Sequence, residues 1–223
     1  MECIAQLLGS YRYVIGLDEV GRGAIAGPVS VGAALVSTLQ PAPSTLADSK
    51  LLTARQRRML VPQLSDWLDR GAVGHVAAHR IDRDGLRTAL QLAAWRALLR
   101  LLHPLGDPQV VARQCAIIID GPTNWCLAPP ALGSEPLSEA AAIIAANAHW
   151  RTEVKADTTC MVVAAASVLA KTTRDAYMAS LPDPGYGYRS HKGYGSPAHL
   201  AALRTLGASH QHRQSWKSVR QAR

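Results

Sequence analysis

Three aspartates each follow a stretch that reads as a β-strand. Asp18 comes after Val14-Ile15-Gly16-Leu17, Asp120 after the wholly apolar run from Cys115 to Ile119, and Asp157 after Thr152 to Ala156; Glu19 adjoins the first. The C-terminal ends of strands are where α/β sheets build their sites. One acid in such a place is an ordinary turn or cap residue, but three of them with an adjacent glutamate make a pattern. Carboxylates gathered together raise one another's pKa unless cations neutralise them. Hard oxygen donors select Mg²⁺ or Mn²⁺ over zinc. Two such ions about 4 Å apart suit a phosphodiester displacement, in which an attacking and a leaving oxygen both need stabilising.

Gly21, Arg22 and Gly23 come directly after Glu19-Val20, and Gly27-Pro28 opens the next apolar run. The GxGxxxG spacing departs from a dinucleotide-binding fingerprint, and the next element reads as a strand instead of a helix, so that reading is rejected. Two uses remain equally open at this point. Glycines can bring backbone N–H groups up to a sugar-phosphate chain with Arg22 adding charge, or the segment is a tight hairpin with an exposed arginine. A second loop, residues 186–194, interleaves Tyr186, Tyr188 and Tyr194 with Arg189, His191 and Lys192. Aromatic rings among cations suit stacking and backbone contact with a nucleic acid.

The elements that must hold these residues are legible in outline. Strands are expected over residues 12–20, 28–37, 71–79, 115–120 and 152–156. The first two are joined by about eight glycine-rich residues, too few for a crossover helix, and so pair antiparallel. Helices are expected over 54–69 with Thr53 as N-cap and a kink or break at Pro62, and over 81–102, 138–149, 162–180 and 196–206. Residues from 210 onward read as a polar, basic tail. The order is α/β, an antiparallel portion running into a parallel one.

Length and composition narrow the class. A chain of 223 residues can form one domain with a substantial core. The formal charge of +8 favours a polyanionic partner, although charge alone also fits any basic soluble protein. Acids set inside a basic chain suit an anionic substrate bridged by cations. Four cysteines without a CxxC pair argue against a zinc site or a disulfide framework and fit a reducing, cytoplasmic compartment. No signal peptide and no membrane-spanning run is expected.

The stretches GLDEVGRGAIAGPV, DSKLLT, IIDG, VKAD, AAASVLAKTTRD, YGYRSHKGYGSPAHLAAL and HRQSW occur in this order between about residues 12 and 217. Together they resemble the ribonuclease HII family, the type 2 ribonucleases H. The resemblance implies an RNase H-like fold, a five-stranded mixed sheet flanked by helices. It implies a single domain over 1–223, with a C-terminal helical, substrate-binding part from about 182. It also implies endonucleolytic cleavage of RNA in RNA–DNA hybrids, including single ribonucleotides embedded in duplex DNA, leaving a 3′-hydroxyl and a 5′-phosphate. The family's carboxylate quartet falls on Asp18, Glu19, Asp120 and Asp157, with Mg²⁺ or Mn²⁺ as the ions. Its glycine-arginine-glycine segment, which contacts the 2′-hydroxyl, falls on Gly21, Arg22 and Gly23. Lys50, by itself a solvated loop lysine, matches a lysine near the scissile phosphate. Tyr194, in the HKGYG run, matches the tyrosine that stacks on the deoxyribose beyond the ribonucleotide, which leaves Tyr186 and Tyr188 for packing. A monomer acting on nucleic acid is expected.

Two departures stand out. Asp120 and Asp157 are separated by 36 residues, more than the family usually carries, and the surplus is expected as an insertion over about 125–149. Trp216 stands where the family often has phenylalanine. Two other functions are compatible with this fold: a hybrid-binding protein without catalysis, which the presence of all four acids disfavours, and a nuclease of the same fold that needs longer RNA runs.

Overall fold

Three central strands are buried on both faces over most of their length, and the other elements cover them. In the computed structural model, which describes residues 2–46, 52–126 and 139–222, the strands are β1 (Tyr13–Val20), β2 (Val29–Val36), β3 (Arg70–Val76), β4 (Cys115–Asp120) and β5 (His149–Glu153). They form one sheet in the order β3-β2-β1-β4-β5. β1 pairs antiparallel with β2 and parallel with β4, so it joins the two halves of a mixed sheet. This is the five-stranded mixed sheet the resemblance implies.

Eleven α-helices are assigned among the described residues: α1 (Glu2–Leu8), α2 (Ala54–Trp67), α3 (Ala78–Asp84), α4 (Leu86–Leu102), α5 (Pro108–Arg113), α6 (Glu139–Asn147), α7 (Ala156–Thr159), α8 (Met161–Ser180), α9 (Tyr188–His191), α10 (Pro197–Leu206) and α11 (Lys217–Arg220). Side chains alternate across a strand, and the two faces take different partners. Tyr13, Ile15 and Leu17 of β1 pack with Trp95, Leu98 and Leu101 of α4, with α5 and α6 covering the outer side. Each such fully buried side chain contributes on the order of 2 kcal/mol. Val14 of β1, Ala116 and Ile118 of β4 and the alanines of α8 form the other layer. There α8 lies almost on the sheet: a Cβ on Gly32 would be 2.1 Å from the Ala166 carbonyl oxygen, and one on Gly16 2.5 Å from that of Val162. A third cluster joins Ile25 and Ala26, just past β1, to Met178, Tyr186, Tyr188, Leu203 and Val219. The loop after the first two acids is thereby buried against the C-terminal helices.

Several expectations need correction. The helix expected over 81–102 is two, α3 and α4, because Gly85 takes φ +81° between them. Pro62 does not break α2; it lies on the exposed side, where water can meet the carbonyl its missing N–H leaves unpaired. β5 lies three residues earlier than expected, at His149–Glu153, since Lys155 turns into the left-handed region (φ 60°) and ends the extended backbone. His149, counted with the insertion, therefore belongs to the sheet; of that insertion α6 packs against α5 and α4, and residues 127–138 lie outside the described residues. The polar tail is in part buried: His212, Arg213 and Val219 are each at most 1% exposed. No helix among the described residues is long and apolar enough to cross a membrane.

Candidate active site

β1 and β4 run parallel with Leu17 opposite Ile119, so Asp18 and Asp120 lie one step further on neighbouring strands, about 4.8 Å apart in the hydrogen-bonding direction. Both share the parity of Val14 and Ile118 and project to the α8 side. Asp18 is 5% exposed and interacts with Ser167 of α8; its Oδ1 also accepts the Glu19 N–H at 2.8 Å. Asp120 Oδ1 accepts the Ala156 N–H at 2.8 Å, which ties the end of β4 to the start of α7. That bond brings in Asp157, which is 3% exposed. Asp157 is therefore not a strand-end residue as expected. It sits in a short helix four residues past β5, delivered by the turn at Lys155.

The electrostatics reveal the grouping. Burial pushes the Asp18 carboxyl up to about 7, opposed by the Ser167 hydrogen bond and reinforced by the Glu19, Asp120 and Asp157 carboxylates. Glu19 is raised by burial too, against the pull of Arg22, whose Nη1 lies 3.5 Å from Glu19 Oε1. Among the described residues, no three of His, Cys, Asp or Glu stand in an arrangement ready to hold a metal ion. Asp18 and Asp120 each give an oxygen to a backbone N–H, and Glu19 is drawn toward Arg22. The donor set nonetheless fits a hard divalent cation, since its charge would offset the burial, and the smaller mutual repulsion, that lift Asp18 and Glu19.

The loop after Glu19 is held from within by two buried arginines. Arg213 donates to the carbonyls of Gly21 (2.6 Å), Arg22 (3.0 Å) and Gly27 (3.2 Å). Arg174 of α8 donates to those of Pro28 (2.8 Å), Ala26 (3.2 Å) and Lys192 (2.9 Å). Gly21 is required by this packing: its φ is +81°, and a Cβ there would lie 2.2 Å from Arg174 Nε. Gly23 is not, because it has no positive φ and a Cβ would meet nothing within 4 Å. The N–H groups of Arg22 and Gly23 donate to no acceptor among the described residues, and the Arg22 side chain is 62% exposed. The carbonyls of Gly21, Arg22, Ala26, Gly27 and Pro28 are held by the two arginines, while Arg22 and Gly23 are exposed, their N–H groups have no acceptor among the described residues, and the Arg22 guanidinium lies beside Glu19.

Tyr194 is half-buried beside this loop, since Gly193 accepts the N–H groups of Ile25 and Ala26. Lys171 and Arg174 flank its ring at 5.6 and 5.4 Å. Tyr186 and Tyr188 stack on each other in the C-terminal core, as packing residues. Lys50 lies outside the described residues. The geometry thus groups Asp18, Glu19, Asp120 and Asp157, and sets Gly21–Gly23 and Tyr194 along an adjoining ledge.

A model of the family described as Ribonuclease HII matches residues 15–219. The chain belongs to the ribonuclease HII family. A ribonuclease HII of Streptomyces avermitilis is 40% identical over 209 residues, 92% of this chain and 77% of its own length. One from Hyphomonas neptunium is 38% identical over 220 residues, covering 96% and 97%. Among solved structures, the ribonuclease H2 of Pyrococcus horikoshii OT3 has a TM-score of 0.66 at 26% identity and covers 94% of this chain and 96% of that one. As a ribonuclease HII-family chain, this protein is a nuclease of RNase H-like fold. Composition and spacing do not mark Arg213 or Arg174 as organisers of its glycine-arginine-glycine turn; one lies in what reads as a basic tail, the other inside the helix expected over 162–180. The only hint is the HRQSW run itself, in which Arg213 lies over the Trp216 ring at 5.1 Å.

Proposed function

We propose that this chain is an endoribonuclease that cuts the RNA strand of RNA–DNA hybrids and acts on single ribonucleotides embedded in duplex DNA. The observation that carries the reading is the join between two features: a buried carboxylate group on β1, β4 and α7, and an adjoining turn with outward N–H donors and an exposed arginine. Asp18, Glu19, Asp120 and Asp157 would hold Mg²⁺ or Mn²⁺. Such ions, when bound, supply an activated water and stabilise the charge on the leaving oxygen. The chain's own residues do the selecting. The Arg22 and Gly23 N–H groups and the open space above Gly23 let a sugar approach the backbone closely. The 2′-hydroxyl, both donor and acceptor, is the group that separates RNA from DNA there. Arg22 adds attraction for the phosphate chain, and the half-exposed ring of Tyr194 offers a sugar a contact surface. Products would be a 3′-hydroxyl and a 5′-phosphate.

The test is cleavage of a duplex carrying one ribonucleotide, beside one carrying four in a row, with Mg²⁺ or Mn²⁺. Asp18→Asn should lose cleavage while retaining hybrid binding. Full activity in that variant would sink the proposal, and cleavage of only the four-ribonucleotide duplex would restrict it to longer RNA runs.

A further inference from the structure

Beneath the Tyr194 loop lies a group of histidines that the cleavage reading leaves unused. His199 of α10 and His212 are 0% and 1% exposed. Their Nε2 atoms lie 3.0 Å apart. His191 stacks on His199 with ring centres 4.0 Å apart.

The backbone partners decide where the protons are. The Ser209 N–H can only donate, and it meets His212 Nδ1 at 3.0 Å. That nitrogen is therefore an acceptor, so His212 carries its proton on Nε2 and donates to His199 Nε2. His199 then carries its proton on Nδ1, which lies 2.9 Å from the Tyr194 carbonyl, a group that can only accept. Both ends are fixed by main chain, so the bonds run one way, from Ser209 through His212 and His199 to Tyr194, with both rings neutral. An added proton on His212 Nδ1 would face the Ser209 N–H, with the Ser209 and Tyr188 hydroxyls at 2.9 and 3.5 Å as its acceptors; one on His199 Nε2 would face the His212 proton. The charged and titratable groups around the pair are His191; Asp183, whose carboxylate accepts the N–H groups of Gly185, Tyr186, Gly187 and Tyr188; the Tyr186 and Tyr188 rings; Arg213 next to His212; and, across the Tyr194 ring, Lys171 and Arg174.

We propose that His199 and His212 are positioning residues that fix the Tyr194 peptide, and with it the ring, where it meets the sugar of the substrate. This rests on the reading of Tyr194 as a substrate contact. Its other main-chain bonds are local: its N–H donates to the His191 carbonyl at 3.0 Å, and the Ser196 N–H donates to its carbonyl at 2.9 Å; Lys171 and Arg174 of α8 touch only its ring. Gly193 already ties the loop to Ile25 and Ala26; the histidine pair adds a side-chain path from the Tyr194 carbonyl itself to the segment at Ser209–Arg213, the same segment that holds the glycine-arginine-glycine turn. The two halves of the selecting ledge are thereby kept in register.

The test sets His199→Asn against His199→Gln. The asparagine amide can stand where Nδ1–H stood and still donate to the Tyr194 carbonyl; the glutamine amide reaches toward Nε2 and leaves that carbonyl unmatched. Both variants are read for thermal stability and for single-turnover cleavage of a duplex with one ribonucleotide at saturating Mn²⁺. The glutamine variant should cleave about tenfold more slowly than the asparagine variant, because small misplacements of a positioning group are costly, and the two should melt alike. Both are then repeated with Tyr194→Ala, where the difference between them should vanish. Equal rates for the two variants in the parent would overturn the relay. If Tyr194→Ala is slow but the difference persists in it, the relay is overturned and the role of Tyr194 stands. If Tyr194→Ala cleaves like the parent, the substrate role itself is lost and the inference falls with it.

Discussion

Gly21 and Gly23 flank one arginine and have opposite surroundings, so alanine at each separates folding from substrate approach. At Gly21 alanine must adopt φ +81°, a left-handed conformation costing about 1–2 kcal/mol for a residue with a Cβ. Its Cβ would also lie 2.2 Å from Arg174 Nε and must displace a guanidinium that serves three carbonyls. Losing one or two of those charge-assisted bonds adds about 2–3 kcal/mol. Gly21→Ala should therefore lose about 3–5 kcal/mol, on the order of 10 °C in melting temperature for a chain of this size. Gly23→Ala meets nothing within 4 Å and no positive φ. It should melt within a degree or two of the parent, or slightly above it, since alanine restricts the unfolded chain. Its cost should appear in cleavage: a methyl group where the sugar must approach would slow cutting of a single-ribonucleotide duplex by about 100-fold. Thermal melts and single-turnover cleavage measure both. Cleavage by Gly23→Ala within twofold of the parent would refute the close approach, and a melt as low as that of Gly21→Ala would refute the open surroundings of Gly23.

Other consequences are open to measurement. Asp18 is raised to about 7, so the folded state holds that proton more tightly than the unfolded chain; its contribution is intact below about pH 4 and is lost as pH rises through 7. Asp18→Asn should accordingly stabilise the metal-free protein at pH 8, by at most about 4 kcal/mol, and have little effect near pH 4, as read by denaturant unfolding with chelator present. His212 is the reverse case: burial, then the neighbouring His199, lowers it to about 4, so stability is full above pH 6.5 and declines as pH falls toward 4. Lowering the pH from 7 to 5 should cost the parent about 2 kcal/mol more than it costs His212→Asn, a comparison in which the opposite contribution of Asp18 cancels. Arg213→Met removes the charge-assisted bonds to three inward carbonyls, leaving that of Gly21 with the Ala24 N–H at 3.3 Å, and should cost about 3–5 kcal/mol in stability, with hybrid binding weakened even at temperatures where the variant is folded.

The parts of the fold that were legible in the chain are those where burial leaves little choice. β4 is buried from Cys115 to Ile119, so only a wholly apolar run could occupy it, and its acid is plain at the end. β5 is an edge strand of half-exposed residues, HWRTE, so its pattern is weak and the alternation further along misled the reading. Asp157 still reached the group, because the Lys155 turn and the Asp120–Ala156 bond depend on backbone conformation, which residue types do not disclose. Gly85 shows the same limit: the helical period of α3 runs into that of α4, and only a positive φ separates them. The missed arginines show another. Isolated cations in a basic chain look like surface, and their role exists only across separations of 146 and 186 residues, from Arg174 to Pro28 and from Arg213 to Gly27.

Those separations explain how the glycine-arginine-glycine turn is held from within while its outer side stays exposed. A glycine-rich segment left to itself would satisfy its N–H groups locally or in water. Here the guanidinium groups of Arg174 and Arg213 draw the carbonyls of Gly21, Arg22, Ala26, Gly27 and Pro28 inward. With the carbonyls committed inside, the N–H groups of Arg22 and Gly23 are left on the outer side. The two arginines are bonded to carbonyls here, so their charge is directed through the turn and is not cancelled by these bonds. Burial lowers Arg213 to about 9, which still leaves it protonated at neutral pH. A buried positive charge behind outward N–H groups is a field that favours an oxygen-rich anion at the surface. The acids on β1, β4 and α7 oppose that field a few residues away, so an anionic chain can lie along the turn but needs cations to pass over the carboxylates. On the proposed function the turn would engage a strand without a metal ion and cleavage would need one, so hybrid binding should survive chelation while cleavage should not.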